Sequence, residues 1–374
     1  MFLKFMPLFF VAFIGVFIVI NMYIDRRFFK QLHLSDRTKK YLNIFLHINI
    51  LGIVLYVLGR YLFDFPNWLY FLVSLPIGVL FLILCTAVFY DIFRVIIDKA
   101  PIKYNRREFF KKSLDISSLG VAFAISSRAI YEAKFIKLER VDIKIENLKK
   151  KYKIVQLSDV HIGGIVDKAF IKNIVDRVNK LDPDIVVITG DLVDIKISRA
   201  QDALDELKRL KNRLGVYFIV GNHEYFHDVD EIIGAVKKLG VKVLENENVY
   251  VGEVGEGFNL AGVYDVFGYR AEHHRPDIYK ALENRDKNSP TVLLAHQPRY
   301  VDELIGGVDL MLSGHTHGGQ LYPFKALVRL QQPYISGLHQ HSKELQVYVS
   351  KGTGFWGPPM RLGASSEITE ITIS

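Results

Sequence analysis

Three stretches near the start of the chain, Phe5 to Ile24, Tyr41 to Phe63 and Trp68 to Tyr90, are each long and apolar enough to cross a bilayer, which takes about 20 residues as helix. Nothing else in the sequence limits the fold so tightly. A segment in hydrocarbon must satisfy its own backbone hydrogen bonds, so this part is expected to be helical and distinct from any water-soluble domain. The first stretch is not read as a cleaved leader, because no small-residue cleavage site follows it and two more spans come next. A shorter stretch at 116–130, bracketed by Asp115 and Arg128, is read as a fourth span, with a partly buried soluble helix as the alternative.

Composition then falls into place. The 374 residues are 50% hydrophobic, with the apolar residues concentrated before about residue 130 and charge spread through the remainder. The formal net charge of +8 does not imply a nucleic-acid partner, and none is expected: much of the excess Lys and Arg flanks apolar segments, where basic residues set membrane orientation. The basic loops at 25–40 and 91–112 are placed in the cytoplasm by that tendency, and the connection at 60–67 is nearly uncharged. If 116–130 also spans, the C-terminal domain lies outside the cytoplasm of a multi-pass protein of the cell membrane. Asn105 to Lys111, with Arg106 and Arg107, resembles a twin-arginine export signal, although it stands far from the N-terminus and has Phe110 where leucine is usual. Cys85 is the single cysteine. It excludes an intramolecular disulfide and a thiolate metal site, so any metal must be held by nitrogen and oxygen.

From about Arg140 the pattern changes. Ile154 to Leu157, Ile185 to Thr189, Val216 to Val220, Val292 to Ala295 and Leu310 to Leu312 are brief runs rich in Val, Ile and Leu, as strands buried on both faces are. Ala169 to Lys180, Ala200 to Asn212 and Asp230 to Leu239 read as amphipathic helices between them. The alternation predicts an α/β layered domain. The expected organisation is a membrane region at 1–131, a linker at 132–150 and the soluble domain at 151–374.

Each of those strands is followed by residues that can bind a metal. Ser158-Asp159-Val160-His161 follows the first, Gly190-Asp191 the second and Gly221-Asn222-His223-Glu224 the third; the fourth ends at His296, and the fifth runs into Gly314-His315-Thr316-His317. Open α/β sheets place their sites just past the carboxyl ends of strands. An Asp after a strand often only caps a helix, and Asn-His can simply make a turn, so no single motif decides. The ordered set does.

These residues resemble the calcineurin-like metallophosphoesterase family, from roughly Lys153 to the C-terminus. Within it the chain looks most like a membrane-tethered bacterial branch, on Gly314 to Gln320 and the glycine- and tryptophan-containing tail Gly352 to Gly357. The resemblance implies a four-layer α/β/β/α sandwich with two divalent metal ions. It assigns Asp159, His161 and His317 to one ion and Asn222, His296 and His315 to the other, with Asp191 bridging. Carboxylate, carboxamide and imidazole donors suit Mn, Fe, Zn or Co. Two such ions about 3.5–4 Å apart can share a hydroxide that attacks phosphorus in line. The resemblance gives His223 to the leaving group as a proton donor, with Asp194 or Glu224 as candidates to orient it. Arg361 and Trp356 are candidates for substrate contact.

The expected activity is hydrolysis of a phosphoester or pyrophosphate, on a membrane- or envelope-associated substrate that could be lipid-linked. One alternative is a pyrophosphatase acting on UDP-2,3-diacylglucosamine, since some relatives of this branch resemble enzymes of lipid A synthesis; that substrate is made in the cytoplasm and conflicts with the outward topology. Another is a membrane sensor whose domain binds without turnover, which a degraded ligand set would favour and this complete set does not. A last stretch, Leu321 to Leu338, mixes Tyr322, Phe324, Leu327 and Leu330 with Lys325 and Arg329. It is either core or a surface that dips into the bilayer interface. The oligomeric state is not legible.

Overall fold

The computed structural model describes residues 2–63 and 65–374, with the side chains of residues 2–9 and of Tyr61 outside the description. Contacts divide the chain into two units. One comprises the residues up to Glu132 together with Gly357–Leu362; the other comprises Ala133–Trp356 and Gly363–Ser374.

The first unit is four long helices, α1 (Phe2–Arg27), α2 (Asp36–Tyr61), α3 (Asn67–Lys99) and α4 (Tyr104–Glu132). The expected spans at 5–24, 68–90 and 116–130 each lie inside one of them, and Tyr41 to Phe63 runs past the end of α2 at Tyr61. Ser35 starts α2 by accepting a hydrogen bond from the Thr38 backbone N–H at 3.2 Å, one of the free donors at a helix start. Among the described residues, the Asp36–Arg60 part of α2 and all of α3 are long and apolar enough to cross a membrane. By length and composition these two helices suggest membrane association. The span read at 5–24 falls partly on side chains outside the description. The stretch at 116–130 is the second half of α4, whose first half carries Arg106, Arg107, Glu108, Lys111 and Lys112. At the meeting of α2 and α3, a Cβ on Gly52 would stand 2.7 Å from the Pro76 ring; a small residue there lets the two backbones approach.

The second unit is built on strands and helices in alternation. Its first half runs β1 (Ile136–Ile143), β2 (Tyr152–Leu157), α5 (Lys168–Asn179), β3 (Ile185–Thr189), α6 (Ile197–Leu204), β4 (Val216–Ile219), α7 (Val229–Lys238) and β5 (Lys242–Val243). The second half adds β6 (Glu247–Val251), β7 (Phe258–Gly262), β8 (Thr291–Leu294), β9 (Leu310–Ser313), β10 (Gly337–Gln340), β11 (Gln346–Val349) and β12 (Ser366–Ile373). Two mixed six-stranded sheets result, in the orders β1-β12-β2-β3-β4-β5 and β10-β11-β9-β8-β7-β6. The central neighbours β2, β3 and β4 are parallel, as are β7, β8 and β9. All the residues of β3, β8 and β9 are buried, which is why these strands lack polar alternation.

One cluster joins inward residues of both sheets, among them Ile154, Val187 and Ile219 from the first and Leu260, Leu294 and Leu312 from the second. A second cluster lies between the first sheet and α5, α6 and α7. Gln156 also ties the sheets together, its amide donating to Thr189 Oγ1 at 2.9 Å and to the Ser313 carbonyl at 3.0 Å. The carboxyl ends of β2, β3, β4, β8 and β9 therefore meet along one edge.

Two boundaries need correction. The expected linker at 132–150 contains β1, which pairs in parallel with the whole of β12. Its half-buried Ile136, Leu138 and Val141 are interleaved with exposed Lys137, Arg140 and Asp142, so the strand is concealed in a charged stretch. The tail at 357–362, expected with the soluble domain, groups with the helices.

Candidate metal centre

Five of the seven expected donor residues have left-handed backbone: Asp159 (φ 51°), His161 (55°), Asp191 (51°), His315 (68°) and His317 (49°). Non-glycine residues seldom adopt that conformation, and where they do the surroundings hold them there. Here each lies just past a strand, so the turn brings the side chain back over the sheet edge. The glycines beside them are needed for space. A Cβ on Gly221 would overlap the Asp191 carboxylate, and one on Gly190, itself at φ 85°, would overlap the His296 ring.

The side chains converge in two groups. In the first, His161 Nε2 and His317 Nε2 are 3.0 Å apart, and Asp159 Oδ1 is 3.4 Å from His317 Nε2. In the second, His296 Nε2 stands 3.1 Å from Asn222 Oδ1 and 3.3 Å from Asp191 Oδ2, with the His315 ring centroid 5.1 Å from that of His296. Asp191 Oδ2 is also 3.8 Å from His161 Nε2, which puts it between the groups. The structure thus brings together all seven donors expected from sequence.

Their chemistry fits cations. His296 donates from Nδ1 to the Thr189 carbonyl at 2.8 Å, so Nε2 is the ring atom that faces Asn222 Oδ1 and Asp191 Oδ2. Burial opposes a charge on this ring, but the carboxylates of Asp191, Asp159 and Asp265 outweigh it and hold it protonated well above the usual range, so the oxygens gathered here call for positive charge. Acceptors aimed at one another in a buried space are satisfied by a shared positive ion. Burial pushes the Asp159 carboxyl up to about 6. Burial would also raise Asp191, but the imidazoles of His296, His223 and His161 outweigh it and hold that carboxyl well below its usual range. Burial, with the charge of His296, pushes His315 down to about 3, leaving a neutral imidazole, the form that ligates.

Backbone and carboxylate hydrogen bonds hold the frame. Asp159 accepts from the His315 N–H at 3.0 and 2.9 Å and from Ser158 Oγ at 2.5 Å. Glu224, fully buried, accepts four backbone N–H groups: Asp191 at 3.0 Å and Gly221 at 2.6 Å on Oε2, and Leu192 at 2.7 Å and Val193 at 3.0 Å on Oε1. It therefore fastens the loop after β3 to the loop after β4, and is not the residue that orients His223. That is Asp194, whose Oδ1 lies 2.6 Å from His223 Nδ1. Asp194 also stands 3.9 Å from His161 Nδ1 and 3.6 Å from His227 Nε2, beyond hydrogen-bond distance.

Around His223 lie the rings of Phe226 and Trp356, at 5.3 and 6.5 Å between centroids. Trp356 is fixed by two hydrogen bonds between its backbone and the Gln320 amide, at 2.7 and 2.9 Å. Arg361 belongs instead to the helical unit; it is fully buried, and its backbone N–H donates to the Ala129 carbonyl. Sequence reasoning passed over Asp265, buried just past β7, which accepts from the Gln297 amide beside the donor His296 at 3.0 Å. Its position after a strand is the same signal that the named donors gave.

A family profile described as calcineurin-like phosphoesterase matches residues 152–319. An uncharacterized metallophosphoesterase of Helicobacter pylori is 39% identical over 311 residues, covering 82% of this chain and 83% of that protein. The chain belongs to the calcineurin-like phosphoesterase family. The metallophosphoesterase domain and the helices before it recur together: an uncharacterized metallophosphoesterase of Campylobacter jejuni is 31% identical over 365 residues, 96% of each chain. A transmembrane protein with metallophosphoesterase domain from Danio rerio is 38% identical over 249 residues, 63% of this chain and 57% of that one. The enzyme is accordingly a phosphoesterase hydrolase with candidate metal-binding residues at the meeting edge of its sheets.

Proposed function

We propose that this metallophosphoesterase hydrolyses a membrane- or envelope-associated phosphoester, with two divalent cations of the Mn, Fe, Zn or Co class held by the seven donors. The observation that carries the reading is Asp191 Oδ2 standing between two groups of nitrogen and oxygen donors. Asp159, His161 and His317 would hold one ion, and Asn222, His296 and His315 the other. Bound there, the ions supply Lewis acidity to the phosphoryl oxygens and lower the pKa of water at the site. His223 acts on the leaving side. With Nδ1 held by Asp194, its Nε2 carries the proton to the departing oxygen, and the carboxylate stabilises the imidazolium that precedes the transfer. Trp356 and Phe226 form an apolar border around that imidazole. We read the paired sheets with their outer clusters as the four layers α/β/β/α of this family.

The substrate class follows from where apolar groups are exposed. Tyr322, Leu327 and Leu330 are exposed immediately after the His315–His317 loop, with Arg329 exposed beside them. Apolar groups among acyl chains with cations at head-group level is how a protein surface enters a bilayer interface, and the same chain carries membrane-crossing helices. The spans are multi-pass and the domain extracytoplasmic in this reading, which a C-terminal reporter fusion checks.

Full-length protein in vesicles tests the proposal. Stripping with a chelator should abolish turnover of both a lipid phosphodiester and water-soluble bis-p-nitrophenyl phosphate, and reloading should restore both. Leu327→Ser with Leu330→Ser should reduce only the lipid reaction. Turnover in metal-stripped protein would overturn the metal centre; equal effects of the serine variant on both substrates would overturn the interfacial reading.

A further inference from the structure

Successive residues of an extended chain point to opposite sides, yet His273 and His274 present their rings to the same side, with centroids 3.7 Å apart. The backbone makes this happen: Glu272 and His274 are left-handed, at φ 55° and 47°, a conformation disfavoured for both. Each ring turns Nε2 toward a different oxygen of one carboxylate, Asp230. The distances are 2.9 Å from His273 to Oδ2 and 2.8 Å from His274 to Oδ1. All three ligating groups lie within 4.8 Å of one another, and none is among the seven donors of the metal centre.

The three groups are held from different parts of the fold. Asp230 is in the first turn of α7. The His274 ring stacks on Tyr264 at 4.6 Å and 30°, and its carbonyl accepts from the Tyr225 hydroxyl at 2.7 Å. The other face is open to solvent, with the Asp230 and His273 side chains 65% and 54% exposed.

We propose that Asp230, His273 and His274 form a third metal site, taking one borderline divalent cation of the zinc, cobalt or nickel class with its remaining position open to solvent. Two imidazoles and a carboxylate are the donor set of three-ligand zinc sites, and they disfavour magnesium and calcium, which take oxygen. Each imidazole would offer Nε2 to the ion and keep its proton on Nδ1. An ion at about 2.0–2.1 Å from each donor spaces its tetrahedral ligands roughly 3.3 Å apart. His273 and His274 now face different oxygens of Asp230, so the carboxylate turns to offer one oxygen to the ion, and the three ligating atoms start within 4.8 Å of one another. The site does not depend on the phosphoesterase reading.

Elemental analysis and calorimetric zinc titration of stripped full-length protein in detergent decide it. The wild type should bind one ion more than the variant His273→Ala with His274→Ala, whatever number the variant retains, and turnover of bis-p-nitrophenyl phosphate should be the same in both. The ions left in the variant report on the catalytic centre, so failure there is read separately. Asp230→Asn keeps the shape of the carboxylate and should weaken the extra ion at least tenfold, which guards against a fold defect in the double variant. Equal ion counts in wild type and double variant would overturn the site, as would an extra ion seen only at millimolar zinc. A triad held by hydrogen bonds alone predicts that equality.

Discussion

The two units of this chain dispose of polar and apolar groups in opposite ways. In the phosphoesterase unit the layers are apolar inside, and the buried polar groups are gathered at the strand ends, where Asp159, Asp191, His296 and Glu224 are all sealed from solvent. In the helical unit large apolar groups such as Val19, Ile48, Leu51 and Phe89 face outward, as they do when the solvent is lipid. Among its described residues, buried Asn49, Ser74 and Thr86 bond back to carbonyls of their own helices, and Asp115 joins elements. Asp115 of α4 accepts from the Tyr90 hydroxyl of α3 at 2.8 Å and from the His33 backbone N–H at 2.7 Å. Buried carboxyl groups gather at the candidate metal centre in one unit; in the other, one makes a fastening.

Four experiments sharpen or break that contrast. The largest effect is expected from Asp191→Ala, which removes the oxygen between the two donor groups. Both ions should be lost and turnover should fall to background, while the helices' circular dichroism signal in detergent is unchanged; one ion retained with activity would remove Asp191 from the bridging role. Next, His223→Ala should keep the ions and lose about 10²–10⁴-fold in turnover, with a smaller loss on substrates that have good leaving groups. Loss of an ion in that variant would make His223 a ligand. Asp194→Asn should cost about 10–100-fold, because the amide still reaches His223 Nδ1 but no longer neutralises the imidazolium. A loss as large as that of His223→Ala would give Asp194 a part in the chemistry itself. Least of all, Tyr90→Phe should destabilise the helical unit by about 1 kcal/mol and leave turnover untouched, as read by unfolding in mixed micelles alongside an assay.

The sequence disclosed these units unequally. The central strands β2, β3, β4, β8 and β9 and the helices α5 and α7 were legible, because strands buried on both faces are unbroken apolar runs and helices packed on one face keep a regular stripe. The helix expected at Ala200 to Asn212 is instead α6 at Ile197–Leu204, followed by a 3-10 turn at Asp205–Arg209. The outer strands were not. In β6, Glu247, Asn248 and Tyr250 interrupt the pattern, and in β1 exposed charges alternate with half-buried aliphatics. The seven donors were legible because all follow readable strands. What lay beyond the sequence was choice among neighbours: Glu224 and Asp194 were equal candidates to hold His223, and only the path of the loop after β3 sends one carboxylate to the imidazole and the other to four backbone N–H groups. Arg361 was weighed as a substrate contact because an arginine is usually outside, and burial of this one cannot be inferred from its neighbours.

Glu224 also bears on whether such a centre could be moved to another scaffold. It ligates nothing, and a designer copying the seven donors would leave it out. Yet its two oxygens set the spacing of the loops that present Asp191 and Asn222, so a graft without it would have the right residues on turns free to drift apart by more than a metal–ligand bond can follow. A transferred copy of the proposed centre therefore needs at least an eighth side chain, one that supports the loops without facing the cations the other seven would hold.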